Sequence, residues 1–213
     1  MKSLADSLLL YGITDRSWLN GKKLEEAVEE ALSGGITMLQ VREKALDFDQ
    51  YVAEAKSLAR LCHRYGVPLV VNDELDVALA AKADGLHVGQ SDLECSRAKK
   101  ELPSSMILGV SASTIEQSLQ AETNGADYLG VGAVFPTSTK ADASHLSPDI
   151  LQSICHAVTI PVVGIGGITK ENIPQLEGCG IAGVAIVSAI FAQKHIKEAT
   201  EELRKEVTRC LTQ

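Results

Sequence analysis

The feature that most constrains the fold is a series of eight short apolar runs, spread along the whole chain and each followed by polar residues. Most of these runs are too apolar to alternate between a buried and a solvated face, which is typical of strands covered on both sides. They predict the strands of a parallel sheet. The runs are "LLLYGIT", "ITMLQVR", "VPLVVN", "GLHV", "MILGV", "DYLGVG", "IPVVGIG" and "AGVAIV".

Segments with a helical period lie between the runs. "KLEEAVEEALSGG" places its leucines, valine and an alanine on one face and ends at Gly34 and Gly35, which predicts a helix closed by a glycine cap. "FDQYVAEAKSLARLCHRYG" repeats the pattern and ends at Gly66. Ser147 and Pro148 predict the N-cap and the first residue of a further helix.

Strand followed by helix, eight times in 213 residues, gives about 27 residues for each unit. This predicts an α/β fold, a single-domain (β/α)8 TIM barrel that spans residues 1–213 and lies near the lower size limit of that fold. An open doubly wound sheet also alternates strands and helices, but it usually has five or six strands and a single glycine-rich phosphate loop. No low-complexity linker or change of composition indicates a second domain.

Composition narrows the possible partners. The formal net charge of −8 would repel nucleic acid and anionic membranes, so a bound anion must be attracted by a local basic site. The five cysteines are widely spaced and form no C-x-x-C pair, which favours inert thiols in a reducing compartment. No apolar run approaches the roughly 20 residues of a membrane span, and the first residues do not resemble a signal peptide. We therefore expect a cytoplasmic protein that binds neither nucleic acid nor membrane.

Polar residues follow nearly every predicted strand. In a barrel of parallel strands these positions share one end, where active sites are built. The opposite loops, "SGG", "RYG", "TNGAD" and "CGIAG", contain glycine and few reactive groups. This asymmetry predicts an enzyme.

Arg42, Lys44 and Lys140 would bring three positive charges to this end, from two distant strands. Such a group could bind a highly charged phosphate, because Arg can grip two oxygens at once. The alternative is that Arg42 and Lys44 are solvated strand ends paired with Glu43 or Asp47. A Schiff-base lysine is less favoured, since a covalent lysine normally lies in an apolar environment.

Asp73 and Asp92 follow neighbouring strands. Two carboxylates beside several cations favour a Mg²⁺ site completed by phosphate oxygens and water. Alternatively, either aspartate could be the N-cap of the helix that follows it.

Backbone N–H groups after the last two strands provide a second anion site. Gly166 and Gly167 follow the seventh run, and Val187 and Ser188 follow the eighth. Loops in these places form the usual phosphate cradle of phosphate-binding barrels. His87 lies inside an apolar run and is interpreted as a satisfied residue of the core or lower rim.

Several segments in order resemble the thiamine-phosphate synthase family, from about Tyr11 to Phe191. They are "YGITDR", "LQVREK", "PLVVNDELDVALAAKADGLHVGQSDL", "ILGVSAST", "GADYLGVGAVFPTSTK" and "IPVVGIGGI…GCGIAGVAIVSAI". The resemblance implies that a hydroxymethylpyrimidine diphosphate loses pyrophosphate and that the nitrogen of a (carboxy)hydroxyethylthiazole phosphate takes its place. These two small-molecule substrates match the two predicted anion sites.

The resemblance also implies roles for individual residues. It assigns Asp73 and Asp92 to Mg²⁺, and Arg42, Lys44, Ser111 and Lys140 to catalysis on the pyrimidine diphosphate. In the "TSTK" loop the hydroxyls would face the thiazole phosphate and the lysine the pyrimidine diphosphate. The full set of implied substrate-binding residues is Gln40, Val41, Arg42, Glu43, Lys44, Asn72, Ser111, Thr137, Ser138, Thr139, Lys140, Gly167, Val187 and Ser188.

One departure concerns the loop after Lys140, where the family usually has a glycine and this chain reads "ADASHLSPDIL". We expect a different backbone path there. Two alternative functions stay open at this point. A thiazole tautomerase would isomerise the thiazole phosphate and rely on a histidine near "GVSA", where this chain has Ser113; a non-catalytic protein would only bind thiamine phosphate.

Overall fold

The fold is a closed barrel of parallel strands surrounded by helices. The structure, a computed structural model, describes residues 3–19, 21–90, 95–137 and 146–212, with side chains for all of these except 95–97. The strands are β1 (Leu10–Ile13), β2 (Met38–Val41), β3 (Leu69–Asn72), β4 (Gly85–Val88), β5 (Ile107–Ala112), β6 (Tyr128–Gly132), β7 (Val162–Ile165) and β8 (Gly183–Ile186). Each strand pairs in parallel with the next, and β8 pairs with β1, which closes the barrel. Every strand lies within one of the eight apolar runs, so the predicted TIM barrel is confirmed.

The helices cover the outside of the barrel, except for a short helix that precedes the first strand. They are α1 (Leu4–Leu8), α2 (Leu24–Gly34), α3 (Phe48–Arg64), α4 (Leu75–Ala81), α5 (Cys95–Glu101), α6 (Ile115–Thr123), α7 (Pro148–Ala157), α8 (Ser188–Phe191) and α9 (Ile196–Leu211). Two 3-10 helices, Arg16–Trp18 and Ile173–Leu176, complete the set.

The predicted helix ends are present. Gly35 caps α2 in the left-handed conformation, with φ of 101°. The Ser147 hydroxyl accepts a hydrogen bond from the backbone N–H of Ile150, and Pro148 is the first residue of α7. Both ends are therefore determined by local sequence.

The seventh unit differs from the predicted strand–helix pattern. Between β7 and β8 the chain forms only the 3-10 helix Ile173–Leu176. Pro174 lies in the first turn, where proline is tolerated, and the left-handed glycines Gly178 and Gly180 follow closely, so few residues remain for an α-helix. The prediction of a full helix in every unit is wrong at this position.

Two apolar clusters stabilise the barrel. The larger one lies between the strands and the helices and takes up side chains such as Leu39, Val41 and Val71. The smaller one fills the barrel and contains Leu8, Tyr11, Ile13, Met38, Val70, Tyr128, Val163 and Ala185. Side chains alternate between the two clusters along each strand, as the two-residue period of a strand requires.

The cysteines have a structural role where the structure describes their side chains. Cys62, Cys155, Cys179 and Cys210 are free thiols. Burial raises the pKa of Cys62 to about 12 and that of Cys155 to about 11, so both remain protonated and unreactive at neutral pH. Among the described helices, none is both long and apolar enough to cross a lipid bilayer.

Candidate active site

A cavity of about 540 Å³ opens at the carboxyl ends of the strands. Its size is within the range of small-molecule sites. Ten of the predicted site residues line it: Gln40, Arg42, Lys44, Asn72, Asp73, Ser111, Thr137, Gly167, Val187 and Ser188. Residues almost 150 positions apart in sequence therefore meet around one opening, as the strand order predicts.

Two predicted substrate-binding residues lie away from the cavity. Val41 is fully buried in the outer apolar cluster. The Glu43 side chain is only 3% exposed and accepts a hydrogen bond of 2.8 Å from the Nε of Arg16. Along the end of β2, side chains alternate, so Gln40, Arg42 and Lys44 reach the cavity while Val41 and Glu43 do not.

Four predicted residues lie outside the described residues. These are the metal ligand Asp92 and the loop residues Ser138, Thr139 and Lys140. The chain segment that lacks the usual family glycine is also outside them, so the expectation of a different backbone path stays a prediction.

Hydrogen bonds between the first two strands fix the cationic side of the cavity. The backbone N–H of Arg42 donates to the buried hydroxyl of Thr14 at 3.0 Å, and the N–H of Thr14 donates to the carbonyl of Gln40 at 3.0 Å. A guanidinium nitrogen of Arg42 lies 3.7 Å from a carboxylate oxygen of Asp15. Arg42 is thus held at the rim by its backbone, while its only partly paired guanidinium can bind an anion.

Asp73 and Lys44 form an ion pair at the edge of the cavity, with 2.9 Å between Nζ and Oδ2. The Lys44 side chain is 60% exposed and that of Asp73 is 16% exposed. Neither cation has the partner that the alternative interpretation gave it, since Glu43 binds Arg16 and Asp47 caps α3. Exposed pairs of this kind contribute little to stability, so an anionic ligand can replace Asp73 as the partner of Lys44.

Asp73 is not a helix cap. Glu74 is the N-cap of α4, and no side chain makes the capping hydrogen bond there. Asp73 itself has a left-handed backbone with φ of 64°, and its N–H donates to the carbonyl of His87 at 2.8 Å. This uncommon conformation turns the carboxylate toward the cavity.

The opposite side of the cavity is a glycine loop after β7. Gly166 and Gly167 are both left-handed, with φ of 98° and 64°. The Asn172 side chain donates to the carbonyl of Gly167 at 2.9 Å and accepts from the N–H of Thr169 at 2.8 Å, which fixes the path of the loop. The sequence analysis did not identify Asn172, because its effect depends on the turn it stabilises.

Polar side chains form a continuous hydrogen-bonded chain across the floor of the cavity. The amide of Gln40 donates to the Tyr11 hydroxyl at 2.7 Å, and the hydroxyls of Tyr11 and Tyr128 are 2.8 Å apart. The Tyr128 hydroxyl is 2.9 Å from Nδ1 of His87, and Nε2 of His87 is 3.0 Å from the Ser111 hydroxyl. We call these five residues the inner polar chain. His87 is buried and satisfied, as predicted, but it also lines the cavity.

Burial raises the pKa of both inner tyrosines well above the ordinary value of a phenol, more than their hydrogen bonds change it. Both hydroxyls therefore stay protonated and neutral. Tyr11 and His87 are site residues that the sequence analysis missed. Strand alternation could have identified both residues as inward-facing. Tyr11 is two residues from Ile13, and His87 is two residues from Gly85, and both of these positions face the barrel interior.

The comparisons with known proteins identify the family of the chain. The family described as "Thiamine monophosphate synthase" matches residues 10–190. The chain is 49% identical over 203 residues to the thiamine-phosphate synthase of Ruminiclostridium cellulolyticum, covering 95% of this chain and 96% of that protein. It is 48% identical over 201 residues to the thiamine-phosphate synthase of Alkaliphilus oremlandii, covering 93% and 95%.

A solved structure supports the same family. The thiamine phosphate pyrophosphorylase of Pyrococcus furiosus superposes with a TM-score of 0.92 at 41% identity, covering 98% of this chain and 100% of that one. These relatives are synthases, which decides against the tautomerase and the non-catalytic binding protein. Over most of its length this chain therefore belongs to the thiamine-phosphate synthase family, and its function is that of a thiamine-phosphate synthase, a transferase.

Proposed function

We propose that the cavity holds both substrates of this reaction side by side. The pyrimidine diphosphate lies at the ends of β2 to β5, and the thiazole phosphate lies at the ends of β7 and β8. The observation that carries the proposal is the division of one cavity into a cationic side, with Arg42 and Lys44, and a glycine-loop side, with Gly166 and Gly167.

In this arrangement the bond between the pyrimidine methylene carbon and the diphosphate oxygen breaks, and the oxygen keeps the electron pair. The thiazole nitrogen then supplies the electron pair of the new carbon–nitrogen bond, and pyrophosphate leaves. Negative charge grows on the departing oxygen, so groups that stabilise it there lower the barrier. Arg42 and Lys44 supply this stabilisation. No residue needs to act as a general base, since the attacking nitrogen carries no proton.

Mg²⁺ is the proposed cofactor, and Asp73 is its proposed ligand. The donor is suitable because a carboxylate is a hard oxygen ligand, and Asp73 lines the cavity beside Lys44. Within the described part of the chain there is no group of three or more acidic, histidine or cysteine side chains suited to a metal. Asp92, which lies outside that part, is the proposed second ligand, and phosphate oxygens and water would complete the coordination. When bound, the ion would neutralise charge on the diphosphate.

The glycine loop is proposed to bind the phosphate of the thiazole. A side chain at Gly167 would overlap the carbonyl oxygens of Pro136 and Phe135, so only glycine lets the loop pass this closely. Val187 and Ser188, at the start of α8, add further backbone N–H groups beside it. The proposed roles of Thr137, Ser138 and Thr139 on this substrate, and of Lys140 on the diphosphate, complete the assignment.

The experiment is a turnover assay with both phosphorylated substrates and Mg²⁺, following thiamine phosphate and pyrophosphate, with and without EDTA. We expect equal amounts of both products, and none with EDTA. Asp73→Asn should lower turnover by about a hundredfold or more, because it removes the charge that holds the ion. Asn tolerates the left-handed conformation, so the fold should be retained.

Asp76→Asn is the matched control. Asp76 is exposed on α4, three residues from Asp73, and does not line the cavity. Its variant should keep normal turnover. Equal activity of the two variants, with Mg²⁺ still required, would show that Asp73 is not a ligand. Unequal release of the two products would contradict the proposed substitution.

A further inference from the structure

The donor is fixed at one end of the inner polar chain. Because the Gln40 amide nitrogen faces Tyr11, Gln40 is the donor in that bond. Either tyrosine hydroxyl can donate in the contact between Tyr11 and Tyr128, and in one of the two directions Tyr11 donates to Tyr128 and Tyr128 donates to Nδ1 of His87. An imidazole that accepts at Nδ1 carries its hydrogen on Nε2, which donates to Ser111. In this direction the Ser111 hydroxyl accepts from His87, and its own hydrogen is available to another acceptor.

The barrel interior is shaped around this chain. A side chain at Gly109 of β5 would overlap the ring and hydroxyl of Tyr128, and one at Gly130 of β6 would lie 3.1 Å from Cε1 of His87. Inward glycines on two neighbouring strands thus leave the space that the two rings occupy. Apolar packing alone would not need phenol hydroxyls here, since burying a hydroxyl is unfavourable unless it is hydrogen-bonded.

Tyr128 lies behind the wall of the cavity. It is fully buried and is not part of the cavity lining, whereas Ser111 at the end of the chain lines the cavity. Tyr128 therefore touches no substrate, and any effect of its hydroxyl on the reaction must pass through its neighbours.

We propose that His87 is a positioning residue that turns the Ser111 hydroxyl into a hydrogen-bond donor to the pyrimidine diphosphate, and that Tyr128 and Tyr11 set the tautomer of His87 that makes this possible. The inference rests on the proposed contact between Ser111 and the pyrimidine diphosphate. It adds three residues to the machinery of the reaction.

The first test is a double-mutant cycle in the full-length enzyme, using Tyr128→Phe, Ser111→Ala and the double variant. Tyr128→Phe should lower kcat/KM for the pyrimidine diphosphate by about tenfold, as expected for a lost hydrogen bond to a charged ligand. KM for the thiazole phosphate should not change. In the Ser111→Ala background the same substitution should have an effect of no more than about twofold, because the coupled groups act together.

The control is Thr200→Val, which removes a buried hydroxyl in α9 that donates to the carbonyl of Ile196, on the outer layer of the barrel. It should leave both kinetic constants unchanged. If Tyr128→Phe is as active as wild type, or if its effect is equally large with and without Ser111, the inference is overturned while the proposed substrate contact stands. If Ser111→Ala is itself fully active, the contact assigned to Ser111 is wrong and the inference fails with it.

A second test compares two conservative replacements of His87. Glutamine places its amide nitrogen near the position of Nε2 and can still donate to Ser111, whereas asparagine reaches only the position of Nδ1. We expect His87→Gln to stay within about threefold of wild type and His87→Asn to lose about tenfold or more in kcat/KM. The reverse order would overturn the proposal.

The third test observes the tautomer directly. In ¹⁵N-histidine-labelled enzyme, with His87 assigned by comparison with His87→Gln, the imidazole should carry its hydrogen on Nε2. Tyr128→Phe should shift the signal toward the other tautomer, because the donor to Nδ1 is lost. A wild-type imidazole with its hydrogen on Nδ1 would mean that Ser111 donates to His87 and would overturn the proposal.

Discussion

Gly167 shows how a single residue can limit what the cavity binds. Its φ of 64° disfavours any side chain, and a β-carbon there would also overlap the carbonyl oxygens of Pro136 and Phe135. Gly167→Ala should therefore push the β7 loop away from the cavity. Since small displacements of a binding group are costly, we expect KM for the thiazole phosphate to rise about ten- to a hundredfold, measured by steady-state kinetics.

Gly178→Ala is the control that separates backbone strain from steric overlap. Gly178 has a similar φ of 77°, but a β-carbon there meets no atom within 4 Å. Its variant should lose about 1–2 kcal/mol of unfolding free energy from backbone strain alone and keep normal kinetics. If both variants had the same KM for the thiazole phosphate, the proposed phosphate cradle would be wrong.

At the scale of elements, β5 and β6 combine glycines with large rings inside the barrel. Gly109→Ala would place a methyl group against the Tyr128 ring. Overpacking of this kind should lower the unfolding free energy by about 1–3 kcal/mol, measured by urea denaturation. It should also lower kcat/KM for the pyrimidine diphosphate, because Tyr128 can no longer hold His87.

Gly12→Ala is the matched control within a strand of the same barrel. Gly12 faces the outer cluster, where the nearest side-chain atoms, from Ile36, would lie 3.5 Å from the new β-carbon. This is an ordinary van der Waals distance, so both stability and kinetics should remain close to wild type. A loss of kcat/KM in this control as large as in Gly109→Ala would mean that the effect is not specific to the inner polar chain.

The elements also show how far sequence reasoning extends. Apolar runs predicted the strands because burial on both faces depends on composition, which is visible locally. Strand alternation, had it been applied residue by residue, would have separated Gln40 from Val41 and identified His87 as an inward residue. The short 3-10 helix after β7 could have been predicted from Gly178 and Gly180, which follow Leu176 closely.

Local sequence does not determine which charged side chains form ion pairs with each other. Lys44 pairs with Asp73 and Glu43 with Arg16, across 29 and 27 positions of sequence. Each pairing follows from the strand order and from the direction in which the preceding backbone turns. The alternative in which Glu43 or Asp47 pairs with Arg42 and Lys44 relied on proximity in sequence, and the structure gives these carboxylates other partners.

At the scale of the whole molecule, the protein has a net charge of −8, although its cavity contains cationic side chains. Carboxylates near the cavity would weaken its attraction for phosphates unless they were neutralised or turned away. Glu43 lies between Arg42 and Lys44 in sequence, yet it is buried on the other side of the strand end and bound to Arg16. Arg16 also pairs with Glu54 of α3, so it ties β1, β2 and α3 together.

Arg16→Ala should therefore destabilise the whole barrel and do so in a pH-dependent way. Burial raises the pKa of Glu54 and the charge of Arg16 lowers it, so removing Arg16 raises this pKa further. A carboxyl with a higher pKa in the folded state binds protons more tightly there, so the unfolding free energy falls as pH increases through that range. In urea denaturation the variant should lose about 1–3 kcal/mol at neutral pH and less at acidic pH, where Glu54 becomes protonated and no longer needs a cationic partner. Lys170→Ala, which breaks an exposed pair of 2.8 Å with Glu202, should leave the unfolding free energy close to that of the wild type. A deficit of Arg16→Ala that grew toward low pH would contradict this account, because it would mean that Glu54 does not depend on Arg16 for its charge.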